Sequence, residues 1–242
     1  MPHRMQQLEL RPRTWGGRRV GAGRKPATGR RAVPHRARVP HDRHCPAHLT
    51  LRASSAVPSL RTGHLLVATR SALAAASAPR FRVLHFSVQA DHMHLLVEAD
   101  GPTEFERGVR GLAIRVAKAV NRVLGRHGRV WADRYHARLL RTPREVRNAL
   151  VYVLNNFRKH FRAARGLDPC SSARWFNGWR TAPGRVVEAS PVARASTWLA
   201  RIGWRRGGLI EVDECPVRRV QGRSARFARS PSCSAICTRV AS

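Results

Sequence analysis

Residues 81–99 read FRVLHFSVQADHMHLLVEA: two apolar, β-branched and aromatic runs (81–89 and 93–99) with only Ala90, Asp91 and His92 between them. Three residues cannot carry a crossover, so the two runs must be antiparallel neighbours in one sheet. Around this hairpin, HLTLRAS from His48 alternates as a strand that ends before Pro58, and Ser59 stands where it would cap a helix reaching about Ser77. After it, Phe105, Val109, Leu112, Val116, Ala119 or Val120 and Val123 recur at helical spacing, with Thr103 and Glu106 as a capping box. Gly125 to Gly128 interrupts that helix, and ARLLR (137–141) reads as a short strand. Thr142-Pro143-Arg144-Glu145 then supplies an N-cap, a first-turn proline and a box partner for a helix to about Phe161. The order β-α-β-β-α-β-α predicts an α+β fold. Its first six elements make a ferredoxin-like antiparallel sheet covered by two helices, and the seventh is an added helix.

The flanks differ in composition. Residues 1–43 carry twelve Arg or Lys against Glu9 and Asp42, with repeated Gly and Pro. Such a segment cannot bury enough apolar surface to offset chain entropy and is expected to be a disordered basic arm. The folded unit is expected over 44–163. Residues 164–242 form a C-terminal extension in which RWFNGWR (174–180) and STWLARIGW (196–204) would dock on the domain before a disordered polar tail from 218. Across the chain, 46 basic residues oppose 14 acidic ones, a formal charge of +32. That excess points to a polyanionic partner, nucleic acid first. All but Lys25, Lys118 and Lys159 are arginine, a bias that GC-rich coding also produces, so charge alone does not decide the matter. No apolar run reaches the roughly 18 residues of a spanning helix, which argues against a membrane partner and for the cytoplasm. Five cysteines without CxxC spacing indicate neither a disulfide framework nor a zinc ribbon.

Two sets of residues could do chemistry. On a strand, His92 and His94 face the same way, so two imidazoles converge either on solvent or on a metal ion. On the last helix, Val146, Leu150, Val153, Leu154, Phe157 and Phe161 form one apolar stripe. Tyr152, Asn156 and Lys159 follow a second one at i, i+4 and i+7. That stripe is either a solvated flank or a nucleophile, an oxygen ligand and a phosphate contact. Tyr135 is the only other tyrosine and competes for the nucleophile role. His48 and His85 on predicted strands read as sheet histidines rather than ligands. Trp131, Arg134, Arg138 and Arg141 suit stacking on unpaired bases or holding backbone phosphates.

Over roughly 44–163 the chain resembles the HUH-type single-tyrosine transposases of small bacterial insertion sequences, in particular the branch associated with repetitive extragenic palindromes. The marks are FRVLHFSVQADHMHLLVEA, GRVWADRYHARLLRTPREV and ALVYVLNN, in that order. In that family two histidines flank one bulky apolar residue, matching His92-Met93-His94. The nucleophile lies on a following helix, matching Tyr152, and a polar side chain one turn later completes the metal site, matching Asn156. The branch often has Asn-Pro after its tyrosine, where this chain reads Asn155-Asn156-Phe157. The resemblance implies a transposase-like enzyme that nicks and joins single-stranded or hairpin DNA through a 5′-phosphotyrosine. It also implies Mg²⁺ or Mn²⁺ at His92, His94 and Asn156. From their own chemistry, Lys159, Arg134, Arg138 and Arg141 are expected to contact DNA. Two other functions stay open: a DNA-binding protein on the same fold without cleavage, and a replication-initiator or relaxase-like nickase. Monomer and homodimer both stay open.

Overall fold

The computed structural model describes residues 40–160, 166–181, 184 and 188–215, with the side chains of Lys159 and His160 outside it. Most of the expected arm and the tail from 218 lie outside the described residues. Four strands, β1 (Ala47–Arg52), β2 (Phe81–Val88), β3 (His92–Ala99) and β4 (His136–Leu139), form one sheet in the order β2-β3-β1-β4 with every pair antiparallel. The architecture is the expected α+β ferredoxin-like one.

Alternation along the strands sorts the two faces. Leu49 and Leu51 of β1, Met93, Leu95 and Val97 of β3 and Phe86 of β2 enter one core with Phe105, Val109, Leu112, Val116 and Val120. Those last residues are the apolar stripe of α2 (Pro102–Val123), which packs beside α1 (Gly63–Ala74). The opposite face carries His48, Thr50, His92, His94, Leu96 and Glu98. A bulge between Val83 and His85 turns Leu84 toward this second face. Over it lies α3 (Pro143–Leu154), whose Val146, Leu150 and Leu154 share a core with Leu84 and Leu96.

Several local expectations are corrected. Ser59 caps no helix; its Oγ accepts the Arg61 backbone N–H, and α1 begins after Thr62 and ends at Ala74. The Thr103–Glu106 capping box does not form, because Pro102 at the first helical position starts α2 two residues earlier, behind Gly101. The helix expected to reach Phe161 stops at Leu154, and α4 (Phe157–His160) is a separate turn beyond Asn155 and Asn156. At the other end α3 starts as read: the Thr142 hydroxyl accepts the Glu145 N–H at 3.2 Å, and the Glu145 carboxylate accepts the Arg141 N–H at 2.9 Å.

Residues 40–43 lie against the domain. His41 is buried, stacks on Phe105 with ring centroids 4.5 Å apart, and donates to the Ala99 carbonyl at 3.1 Å. The C-terminal extension docks as expected, with Phe176, Trp179, Leu199 and Trp204 completing the second core. Polar ties fix it in place. Arg61 forms a two-pronged pair with the buried Asp168 (2.7 and 3.1 Å), and Arg147 does the same with Glu214 (2.6 and 2.9 Å). Glu98, fully buried, accepts the N–H and hydroxyl of both Ser196 and Thr197 and faces Arg82 at 3.4 Å. Five bonds therefore satisfy a carboxylate that would be costly to bury alone.

Candidate active site

The second face of the sheet gathers the titratable side chains. His92 and His94 sit two apart on β3, and their rings lie 4.8 Å apart. The antiparallel register puts Thr50 opposite His94 and Arg52 opposite His92, and each opposing residue has a consequence. Thr50 Oγ1 hydrogen bonds with His94 Nδ1 at 3.0 Å. Arg52 pairs with Asp91 at 3.0 Å, and Asp91 Oδ1 accepts His92 Nδ1–H at 2.7 Å. That hydrogen bond, with the Arg52 charge behind it, holds the Asp91 carboxyl below the usual range. Both imidazoles are thus gripped at Nδ1, the arrangement by which a neighbouring oxygen orients a metal-binding ring to present Nε2.

Tyr152 approaches from α3. Its hydroxyl lies 3.4 Å from His94 Nε2, and its ring meets that of His94 edge-on at 4.8 Å. Tyr152 is therefore not on a solvated flank; it faces His94 and His48, while the C-terminal extension covers the helix elsewhere. Partial burial pushes the Tyr152 phenol above its ordinary pKa, so it is protonated at neutral pH.

His48, read from the sequence as a sheet histidine, belongs to this cluster. Its ring lies 5.2 Å from that of His94 and 5.5 Å from that of Tyr152. Burial, helped by the Arg138 charge, lowers its pKa to about 4, and its buried Nε2 has no hydrogen-bond partner among the described residues. Alternation places His48 and Thr50 on one face, but only the pairing of β1 with β3 brings that face to His94. By contrast His85 is a packed histidine, hydrogen bonded through Nδ1 to Ser172 Oγ at 3.1 Å and edge-on to Phe176.

The two asparagines after Tyr152 divide their work. Asn155 donates to the Glu211 and Glu214 carbonyls (3.4 and 2.9 Å), tying the end of α3 to the extension. Asn156 is buried, and both amide atoms lack a hydrogen-bond partner among the described residues. Among those residues no group of three or more His, Cys, Asp or Glu side chains is placed to hold a metal ion. A cation here would have to rest on the His92 and His94 imidazoles and an amide oxygen. The unsatisfied Asn156 amide and the two oriented imidazoles fit that donor set.

Of the predicted DNA contacts, Arg138 on the edge strand β4 pairs with Glu145 on α3 and faces His48. Arg141 and Arg134 line cavities on the far side of β4. Lys159 is in α4, with its side chain outside the described residues. Tyr135 packs against the α2 core, edge-on to Phe105 at 6.4 Å, on the opposite side of the sheet from His94.

No protein-family model matches the chain, and no curated protein matches it. Among solved structures it is similar to a REP-associated tyrosine transposase bound to a REP hairpin, with a TM-score of 0.48 and 18% identity over 68% of this chain and 100% of that one.

Proposed function

We propose that the chain is a metal-dependent tyrosine transposase-like enzyme that nicks and rejoins single-stranded or hairpin DNA, with Tyr152 as nucleophile. The observation that carries this reading is the convergence of Tyr152 from α3 on the His92–His94 pair of β3, 3.4 Å from His94 Nε2. His92, His94 and the Asn156 amide oxygen would hold Mg²⁺ or Mn²⁺, which would supply positive charge to the oxygens of the scissile phosphate. Tyr152 Oη attacks phosphorus, forming the Oη–P bond as the bond to the 3′-oxygen breaks; the phenol proton leaves to water, and the 3′-oxygen takes one up. Burial pushes the phenol's pKa up, so attack requires that its proton be removed at the site. Asp91 and Thr50 hold the imidazoles in place, uncharged His48 packs the phenol ring from β1, and Arg138 offers a cation to the DNA backbone. Attack by a 3′-hydroxyl on the phosphotyrosine reverses the step and rejoins the strand without ATP, since the ester conserves the bond energy.

The test is a covalent adduct that survives denaturation. A DNA hairpin with single-stranded flanks should yield one with Mn²⁺ and none after chelation, and mass spectrometry of the digest should place the nucleotide on Tyr152. Tyr152→Phe keeps the packing against His94 and should bind DNA without forming the adduct. Adduct on Tyr135, or undiminished adduct from Tyr152→Phe, would overturn the assignment. His92→Ala or His94→Ala should lower the cleavage rate by at least ~100-fold while leaving DNA affinity within about threefold.

A further inference from the structure

Beyond the sheet edge, on the side away from Tyr152, two cavities of about 490 and 450 Å³ adjoin one another, each large enough for a small organic ligand. Tyr135 and Glu106 line both. The first is also walled by Trp131, Arg110, Arg134 and a second carboxylate, Asp133, the second by Phe105, Arg138 and Arg141. Trp131 is fixed in orientation: its Nε1–H donates to the Ala113 carbonyl of α2 at 2.9 Å, and its backbone bridges to Ala53. Half-buried aromatic rings with guanidinium groups at the rim are the combination that takes unpaired bases, the rings stacking on the base and the cations meeting its phosphate. A carboxylate inside such a groove repels phosphate and accepts hydrogen bonds from an exocyclic amine, as a cytosine or adenine offers and a thymine does not.

We infer that this groove binds successive unpaired nucleotides of single-stranded DNA, with Tyr135 between two base positions and Glu106 selecting bases that carry an exocyclic amine. Arg138 joins the groove to the Tyr152 site, because it lines the second cavity and also stands over His48 on the other face. A strand leaving the scissile phosphate can thus pass over the four-residue edge strand β4 and into the groove. The position of the groove relative to cleavage rests on the function proposed above; its capacity to bind bases does not.

The experiment is fluorescence anisotropy of short homopolymeric oligodeoxynucleotides on the full chain at fixed salt, without metal so that no cleavage intervenes. Oligo-dC and oligo-dA should bind at least several-fold more tightly than oligo-dT. Tyr135→Ala should weaken oligo-dC binding by roughly tenfold or more, the loss expected for one stacked base. Glu106→Gln, at an exposed helix position where folding is not at risk, should narrow the difference between oligo-dC and oligo-dT without weakening oligo-dT. Equal binding of the three oligomers by the wild type overturns the base selection. Unchanged oligo-dC affinity in a Tyr135→Ala protein with wild-type circular dichroism overturns the groove. The two readings fail separately: groove-dependent binding without any adduct on the wild type sinks cleavage and leaves the groove, and an adduct with groove-independent binding does the reverse.

Discussion

His85 shows what burial alone does to an imidazole. Desolvation lowers its pKa to about 4, so the folded chain holds it neutral at pH values where the unfolded chain, with a pKa near 6.5, is protonated. Between those values the unfolded state binds more protons, and stability falls as pH drops from about 6.5 to about 4 and is flat below. The full loss is about 3 kcal/mol for this one residue. Urea midpoints at neutral pH and at pH 4.5 should show it, and His85→Gln, which cannot protonate, should remove that part of the acid sensitivity. The counterpart at the site is Asp91, whose carboxylate holds His92 by Nδ1. Asp91→Asn should leave folding intact, because Arg52 and Asp91 are both half exposed. It should weaken Mn²⁺ binding by about 10- to 100-fold, measured by electron paramagnetic resonance titration.

Each of the helices that flank the sheet has one position where sequence and packing meet most tightly. On α2, Gly108 lies against Phe81 so closely that an added Cβ would come 2.2 Å from the ring, and Phe81 is itself buried and cannot retreat. Gly108→Ala should destabilise the chain by ~1–3 kcal/mol or more through overpacking, read as a lower melting temperature. On α3 the Thr142 cap contributes about 1 kcal/mol, so Thr142→Ala should be mild by comparison. That cap was legible because its chemistry is local, four consecutive residues with a proline at the first helical position. His92, His94 and Tyr152 were legible as candidates for a related reason: strand alternation and helical spacing are properties of neighbouring residues. The stop after Leu154 was not. No glycine or proline marks it, and Asn155 is drawn aside by the carbonyls of Glu211 and Glu214, more than fifty residues away. His48 was passed over on the same ground, since its place beside His94 is set by inter-strand register, which alternation within β1 cannot supply.

For the molecule as a whole, charge and long-range ties do different work. Under the function proposed above, the twelve basic residues of 1–43 should add phosphate contacts without sequence preference, each contributing about 0.9 to the slope of log affinity against log salt on duplex DNA. A chain beginning at Pro40, which keeps the docked His41, should bind a DNA hairpin with a shallower slope and still form the Tyr152 adduct; a slope equal to that of the full chain would show that the arm does not engage DNA. Glu98→Ala should cost roughly 3–5 kcal/mol, since it leaves four buried or half-buried donors of Ser196 and Thr197 without their acceptor, while Arg82 keeps its pair with Asp100. Limited proteolysis should then cut first near 190–200, where that anchor is lost. The ties also order events during synthesis. Arg61 and Asp168 are 107 residues apart, so at roughly 5–20 residues per second the guanidinium emerges from the ribosome on the order of ten seconds before its partner. Arg147 waits in the same way for Glu214. Until residues 179–204 have emerged the α3 face lacks Trp179, Leu199 and Trp204, and a message truncated before codon 179 releases a chain whose tyrosine-bearing helix is open on one side, a substrate for chaperones and proteases.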